Sequence, residues 1–227
     1  MLERALAHLE GGTLEVTLPD GTERRFGSGA PARREPRMNA YAVLDRSGLR
    51  GLLHRLYRIE VAGAERIPAS GGAILACNHA SIADPFILGV ATRREIHYMA
   101  KSELFRFRPV AAAMRALNAF PVERGGGDRT AMSEAARRLQ HGELLGIFPQ
   151  GTSKPDRQLG WYRGAARLAL TTGAPLIPVR MSGTRALPLR TRVLIAVGEP
   201  IEVALERPTV AAAKRLTARL EQAVKAA

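Results

Sequence analysis

Residues 73–90 read AILACNHASIADPFILGV, and how this stretch is read decides the fold. Ala73 to Cys77 is an apolar run of strand length that stops at the polar pair Asn78 and His79. Asp84, Pro85 and the apolar Phe86, Ile87 and Leu88 then have the form of a helix start. A strand running directly into a helix is the building unit of an open α/β sheet, in which chemistry gathers at strand C-termini. His79 and Asp84 have four residues between them. On one continuous helix they would point well apart, so they meet only if the chain turns between strand and helix. In such a turn Asp84 accepts the proton of one imidazole nitrogen and leaves the other basic. The competing reading is a capping box, in which Ser81 and Asp84, three residues apart, do no more than finish a helix end. On this stretch alone the two readings stand level.

A second segment tips the balance. Residues 144–154 read LLGIFPQGTSK, another strand-length apolar run that ends in a turn. Together the two segments resemble the glycerolipid acyltransferase family, that of lysophosphatidic acid acyltransferase. Its signature is His, four residues, Asp, and later Phe-Pro-Glu-Gly-Thr-Arg. AFPVER (Ala119 to Arg124) resembles the block between them, and PLIPV (Pro175 to Val179) resembles the fourth block. The resemblance covers roughly Met38 to Pro200, with the blocks in the family's order.

The resemblance implies transfer of an acyl group from a thioester, acyl-CoA or acyl carrier protein, to a hydroxyl of a lysophospholipid or glycerol-phosphate-type acceptor. In that reading His79 is the base and Asp84 its orienting partner. Lys101, in MAKSELF, and Arg124 hold the acceptor phosphate. Gln150, Gly151 and Thr152 form a polar turn that binds substrate, with backbone donors around Gly151 and Thr152 to steady the developing oxyanion. Two positions depart from the family: Gln150 stands where Glu is usual, and Ser153 where Arg is usual. Gln keeps the size and hydrogen bonding of Glu without its charge, and Ser cannot pair with phosphate as Arg does. Lys154 and Arg163 are the candidates to replace the missing cation, and the exchange bears most on which acceptor is used. It also keeps open an alternative, a catalytically weak lipid-binding or scaffold protein with the acyltransferase fold. No cofactor beyond the thioester co-substrate is expected, and no metal: the remaining histidines lack partners at ligand spacing.

The 227 residues suffice for one α/β domain, and a hydrophobic content of 46% allows a real core. The formal net charge of +13 asks for an anionic partner: a membrane surface, nucleic acid or a phosphorylated substrate. Nucleic acid is not expected, since no zinc-ligand spacing, helix-turn-helix pattern or aromatic strand motif accompanies the charge. No stretch approaches the ~20 apolar residues of a spanning helix. The first residues, MLERALAHLE, lack the apolar centre of a signal peptide. The single cysteine, Cys77, lies inside a strand pattern and reads as a buried small residue, which favours a reducing compartment. The expected location is therefore cytoplasmic, peripheral on the inner face of the cell membrane.

Along the chain, Thr13 to Leu18 alternates, Pro19 to Thr22 is turn chemistry, and a short run ends at Phe26, which predicts a hairpin. Residues 1–36 are thus expected to be an N-terminal extension and 37–227 the acyltransferase domain. Ala40 to Arg58 predicts a helix with Leu49, Leu52, Leu53, Leu56 and Tyr57 on one face and Arg50, His54, Arg55 and Arg58 on the other. That apolar stripe fits either the sheet or the headgroup boundary of an anionic bilayer. Beyond residue 73, strands at 73–77, 96–100, 119–122, 144–148, 175–179 and 193–197 interleave with helices at 109–117, 128–141, 163–172 and 208–226. This order predicts an α/β fold with a mainly parallel twisted sheet covered by helices on both faces.

Overall fold

A computed structural model describes residues 6–10, 13–17, 23–27, 51, 54–55, 57–123, 129–154, 160–185 and 191–227. The chain forms two compact units, residues 1–37 and 38–227. In the first, β1 (Leu6–Glu10), β2 (Thr13–Thr17) and β3 (Glu23–Gly27) make an antiparallel sheet in that order. The hairpin read from the sequence corresponds to β2 and β3. β1 is additional, and the turn at 18–22 lies outside the described residues.

The second unit is built on a seven-stranded sheet of order β4-β10-β9-β5-β8-β6-β7. Its strands are β4 (Ile59–Ala62), β5 (Ala73–Cys77), β6 (Ile96–Lys101), β7 (Ala119–Val122), β8 (Leu144–Ile147), β9 (Leu176–Ser182) and β10 (Val193–Val197). All neighbours are parallel except β9 and β10. Those two follow each other in the chain with only ten residues, 183–192, between them, whereas a crossover to a parallel neighbour takes about a dozen or more. β4 has no counterpart in the sequence reading. It is four residues long, and only Ile59 is fully buried, so its periodic signal is short.

Five α-helices are described: α1 (Asp84–Leu88), α2 (Arg108–Ala116), α3 (Arg129–Gln140), α4 (Gly164–Thr172) and α5 (Val210–Ala226). Alternation along β5 sorts them onto the two faces of the sheet. Leu75 and Cys77 pack with Ile87 and Leu88 of α1 and with Met114 and Leu117 at the end of α2. Ile74 and Ala76 pack with Leu139 of α3, Leu168 of α4 and Leu220 of α5. Every residue of β5 is fully buried, as expected of a central strand covered on both sides. Of the helix predicted over 40–58, residues 40–50, 52, 53 and 56 lie outside the described residues, while 51, 54, 55 and 57 are helical and Tyr57 packs on the first cluster. Among the described residues no helix is long and apolar enough to cross a membrane.

Candidate active site

The site is made where β5 and β8, paired in parallel, release the chain side by side. After β5 the chain turns through residues 78–83 and enters α1, with Ala83 as N-cap and Pro85 in the first helical turn. Within this turn the Asp84 carboxylate reaches backward. Its Oδ2 accepts from the backbone amides of Ala80 and Ser81 at 2.7 and 2.8 Å and lies 2.8 Å from His79 Nδ1. A carboxylate only accepts, so Nδ1 carries the proton and the basic lone pair belongs to Nε2. Asp84 is fully buried, whereas the His79 side chain keeps 17% of its surface. Of the capping box only the return half forms, the Ser81 amide donating to Asp84 Oδ2; Ser81 Oγ accepts from Ala83 at 3.2 Å, and α1 has no side-chain cap.

β8 supplies the other wall. Phe148 stacks on the His79 ring with centroids 4.4 Å apart and planes 28° from parallel. Tyr98 of β6 stacks behind Phe148, and its hydroxyl donates to Pro85 O at 2.8 Å, tying α1 to the sheet. Gln150 Oε1 accepts from the His79 backbone amide at 2.5 Å. Gly151 has φ +70° and closes a turn by donating to Phe148 O at 2.9 Å. A residue with a Cβ is strained in that conformation, which accounts for glycine here. Its amide is engaged in this turn.

The remaining predicted residues fall out differently. Lys101 ends β6, half-exposed, with Nζ 3.7 Å from Glu103 Oε1. Thr152 Oγ1 accepts from the Lys154 amide at 3.2 Å, and Lys154 is exposed. Arg163 heads α4 and lines a cleft of about 320 Å³ with Trp161, Lys214 and Glu221. Trp161 packs on the sheet face opposite the one that carries Phe148, while the amide of Tyr162, next to Arg163, donates to Pro149 O at 2.8 Å beside Gln150. Arg124 lies outside the described residues. Among the described residues no group of three or more His, Cys, Asp or Glu side chains is placed to hold a metal ion.

Sequence reasoning passed over two participants. Phe148 was read as strand, although its place next to the Pro-Gln-Gly turn put it at the mouth. Asn78 was read only as the polar end of β5. Its side chain donates to Met181 O at 2.9 Å and accepts from Met181 N at 2.7 Å, locking the His79 turn to β9. Cys77, one residue before, is fully buried. Burial, with the Asp84 carboxylate adding to it, pushes its thiol well above the ordinary range, so it is no nucleophile at neutral pH.

An imidazole that donates its Nδ1 proton to a buried carboxylate and keeps its other nitrogen basic is equipped to take a proton from a hydroxyl. Comparisons with known proteins bear on the family. Residues 58–182 match the family model described as Acyltransferase. The chain is 33% identical over 150 residues to the 1-acyl-sn-glycerol-3-phosphate acyltransferase of Bacillus subtilis, covering 64% of this chain and 75% of that one. A chloroplastic 1-acyl-sn-glycerol-3-phosphate acyltransferase of Arabidopsis thaliana is 25% identical over 163 residues, 69% of this chain but only 45% of the plant protein. The crystal structure of the 1-acyl-sn-glycerophosphate acyltransferase PlsC from Thermotoga maritima superposes with a TM-score of 0.62 at 25% identity, covering 82% of this chain and 77% of that one. With the family model spanning more than half its length and the fold shared, this chain belongs to the glycerolipid acyltransferase family, the O-acyltransferases of phospholipid biosynthesis.

Proposed function

We propose that His79 is the general base of this acyltransferase, that Asp84 orients and charges it, and that the acceptor is a monoacylated glycerol phosphate or a close relative. The observation that carries this reading is the 2.8 Å contact between His79 Nδ1 and Asp84 Oδ2 at the mouth of the sheet. A hydroxyl is a poor nucleophile at neutral pH. As its oxygen attacks the thioester carbonyl, Nε2 of His79 removes its proton, and the imidazolium is held by the Asp84 carboxylate. Collapse of the tetrahedral adduct breaks the carbon–sulfur bond. The departing thiolate takes the proton from the imidazolium, leaving a new ester and a free thiol. The thioester is acyl-CoA or acyl carrier protein.

Lys101 at the end of β6, Lys154 beyond the Gln150 turn, and Arg124, two residues past β7 in sequence, are the cations proposed for the acceptor phosphate. Arg163 ranks below them because it lines the cleft with Trp161, Lys214 and Glu221. The acceptor's diacyl product belongs to the bilayer, so the protein is proposed to work peripherally at an anionic membrane surface on its cytoplasmic side. The similarity to the 1-acyl-sn-glycerol-3-phosphate acyltransferase of Bacillus subtilis and to the 1-acyl-sn-glycerophosphate acyltransferase of Thermotoga maritima supports this acceptor class.

The test is thiol release from acyl-CoA and from acyl carrier protein by wild type and His79→Ala, with a panel of lysophospholipids. Loss of about 10²–10⁴-fold in the variant is expected for a general base. A variant as active as wild type refutes the role of His79. Absence of turnover by wild type on every acceptor, with lipid binding retained, would favour the scaffold alternative.

A further inference from the structure

Four large apolar side chains stand exposed just beyond the strands that frame the site. Ile82 (82% exposed) and Phe86 (39%) follow β5, and Leu104 (39%) and Phe107 (66%) follow β6. Only β8 separates β5 from β6. At ~4.8 Å between strands, the two segments leave the sheet about 10 Å apart. Both also lead onto the same face, since α1 and the end of α2 bury into one cluster, and the Tyr98 hydroxyl holds Pro85 of α1 to β6. α2 carries the chain from the end of β6 to the start of the parallel β7. It must therefore run back across the sheet and begin, at Phe107, at the edge where His79 lies. Scattered exposed apolar residues are ordinary, whereas a cluster beside an active site marks a contact surface.

Charge selects the occupant. Leu104 and Phe107 sit in SELFRFR, where exposed Arg106 and Arg108 flank Phe107, and the chain as a whole carries +13. Apolar tips alternating with guanidinium groups match the headgroup boundary of an anionic bilayer: rings cross into the acyl region while arginines meet lipid phosphate. Glu103, the acid of this segment, lies 3.7 Å from Lys101, and a protein partner selected by apolar contact alone would have no use for the two guanidinium groups beside Phe107.

We infer that Leu104 and Phe107, with Arg106 and Arg108 and joined by Ile82 and Phe86, form the surface that docks this acyltransferase on anionic lipid, with the His79 edge facing the bilayer. This rests on the reading above that the acceptor is a phosphorylated lipid. It has a mechanical consequence. The acceptor's hydroxyl reaches Nε2 without its acyl chain leaving the membrane.

The experiment is co-sedimentation of the full chain with phosphatidylcholine vesicles, with and without phosphatidylglycerol. It is run alongside turnover on a short-chain acceptor that stays monomeric in water, for wild type, Leu104→Ser/Phe107→Ser and Arg106→Ala/Arg108→Ala. Expected are binding of wild type to the anionic vesicles only, and about tenfold or greater loss of binding in each double variant. Turnover on the water-soluble acceptor should stay within about twofold of wild type, with circular dichroism unchanged. Variants that sediment like wild type overturn the inference. So does a wild type that ignores anionic vesicles, or a loss of turnover on the soluble acceptor equal to the loss of binding, which would make these residues part of the substrate site. His79→Ala separates the two proposals, because it should abolish turnover and bind vesicles as wild type does.

Discussion

The side-chain oxygen of Gln150 accepts a hydrogen bond at 2.5 Å from the backbone amide of His79, 71 residues earlier in the chain. This contact joins the turn after β8 to the turn after β5 and fixes where the imidazole hangs. Gln150→Ala should therefore lower kcat by about 10–100-fold with little change in KM, since displacing a catalytic group by about 1 Å has that scale of effect. It should also cost about 1–3 kcal/mol in urea denaturation, from the amide left without its partner.

Gln150→Glu restores the residue usual in the family and can keep the same hydrogen bond. The added negative charge beside the imidazole favours its protonated form, which is the inactive form of a base. The acid limb of the kcat/KM profile should move to higher pH, measured between pH 5 and 9 (about the range over which imidazoles titrate). An unmoved profile with altered acceptor preference would instead place residue 150 with the substrate.

Asp84 Oδ2 serves three donors, His79 Nδ1 and the amides of Ala80 and Ser81. Asp84→Asn keeps an acceptor for the turn but loses the charge that steadies the imidazolium, so kcat should drop about 10²–10⁴-fold with a modest change in stability. Asp84→Ala leaves three half-buried donors without an acceptor and should also cost about 1–3 kcal/mol by thermal or urea unfolding. If Asn and Ala prove equally stable, the carboxylate does not organise the turn.

Phe148 lies 4.4 Å from the His79 ring. Phe148→Leu preserves an apolar wall and removes the stacking, worth about 0.5–1.5 kcal/mol. A fall in kcat of up to about tenfold with an intact fold is the expected result. Wild-type kinetics in this variant would reduce Phe148 to filler.

A Cβ at Gly146 would come within 2.3 Å of Tyr98 Cε1 and 2.9 Å of Ile96 Cγ2. Gly146→Ala must push Tyr98 aside, disturbing its bond to Pro85 and hence α1. The expected loss is about 1–3 kcal/mol, read from the urea midpoint, accompanied by lower activity. Cys77 provides a separate check on burial. Its thiol should resist maleimide at pH 8 (about half a unit below an ordinary thiol's midpoint) in native protein and react on unfolding, as mass spectrometry would show; rapid native labelling would contradict the buried β5.

What the amino-acid sequence determined by itself was local in origin. The apolar run Ala73–Cys77, the polar stop at Asn78–His79 and the Asp-Pro helix start specify a strand, a turn and a helix within some fifteen residues (about three short elements' length). A His and an Asp five positions apart can be brought together by that turn alone, and they are, at 2.8 Å. Interleaved strands and helices were enough for a mainly parallel sheet covered on both sides. β4 escaped notice because four residues with one fully buried side chain carry too little periodicity. Strand order, and with it which turns share an edge, came only from tertiary structure. Pairing β5 with β8 puts Gln150 on the His79 amide and Phe148 on its ring. Tertiary structure likewise sets Arg163 in a cleft with Lys214 and Glu221 of α5. Local pattern encodes how each segment buries its own apolar side, whereas the partner of a polar group far away in sequence depends on which strands lie next to each other.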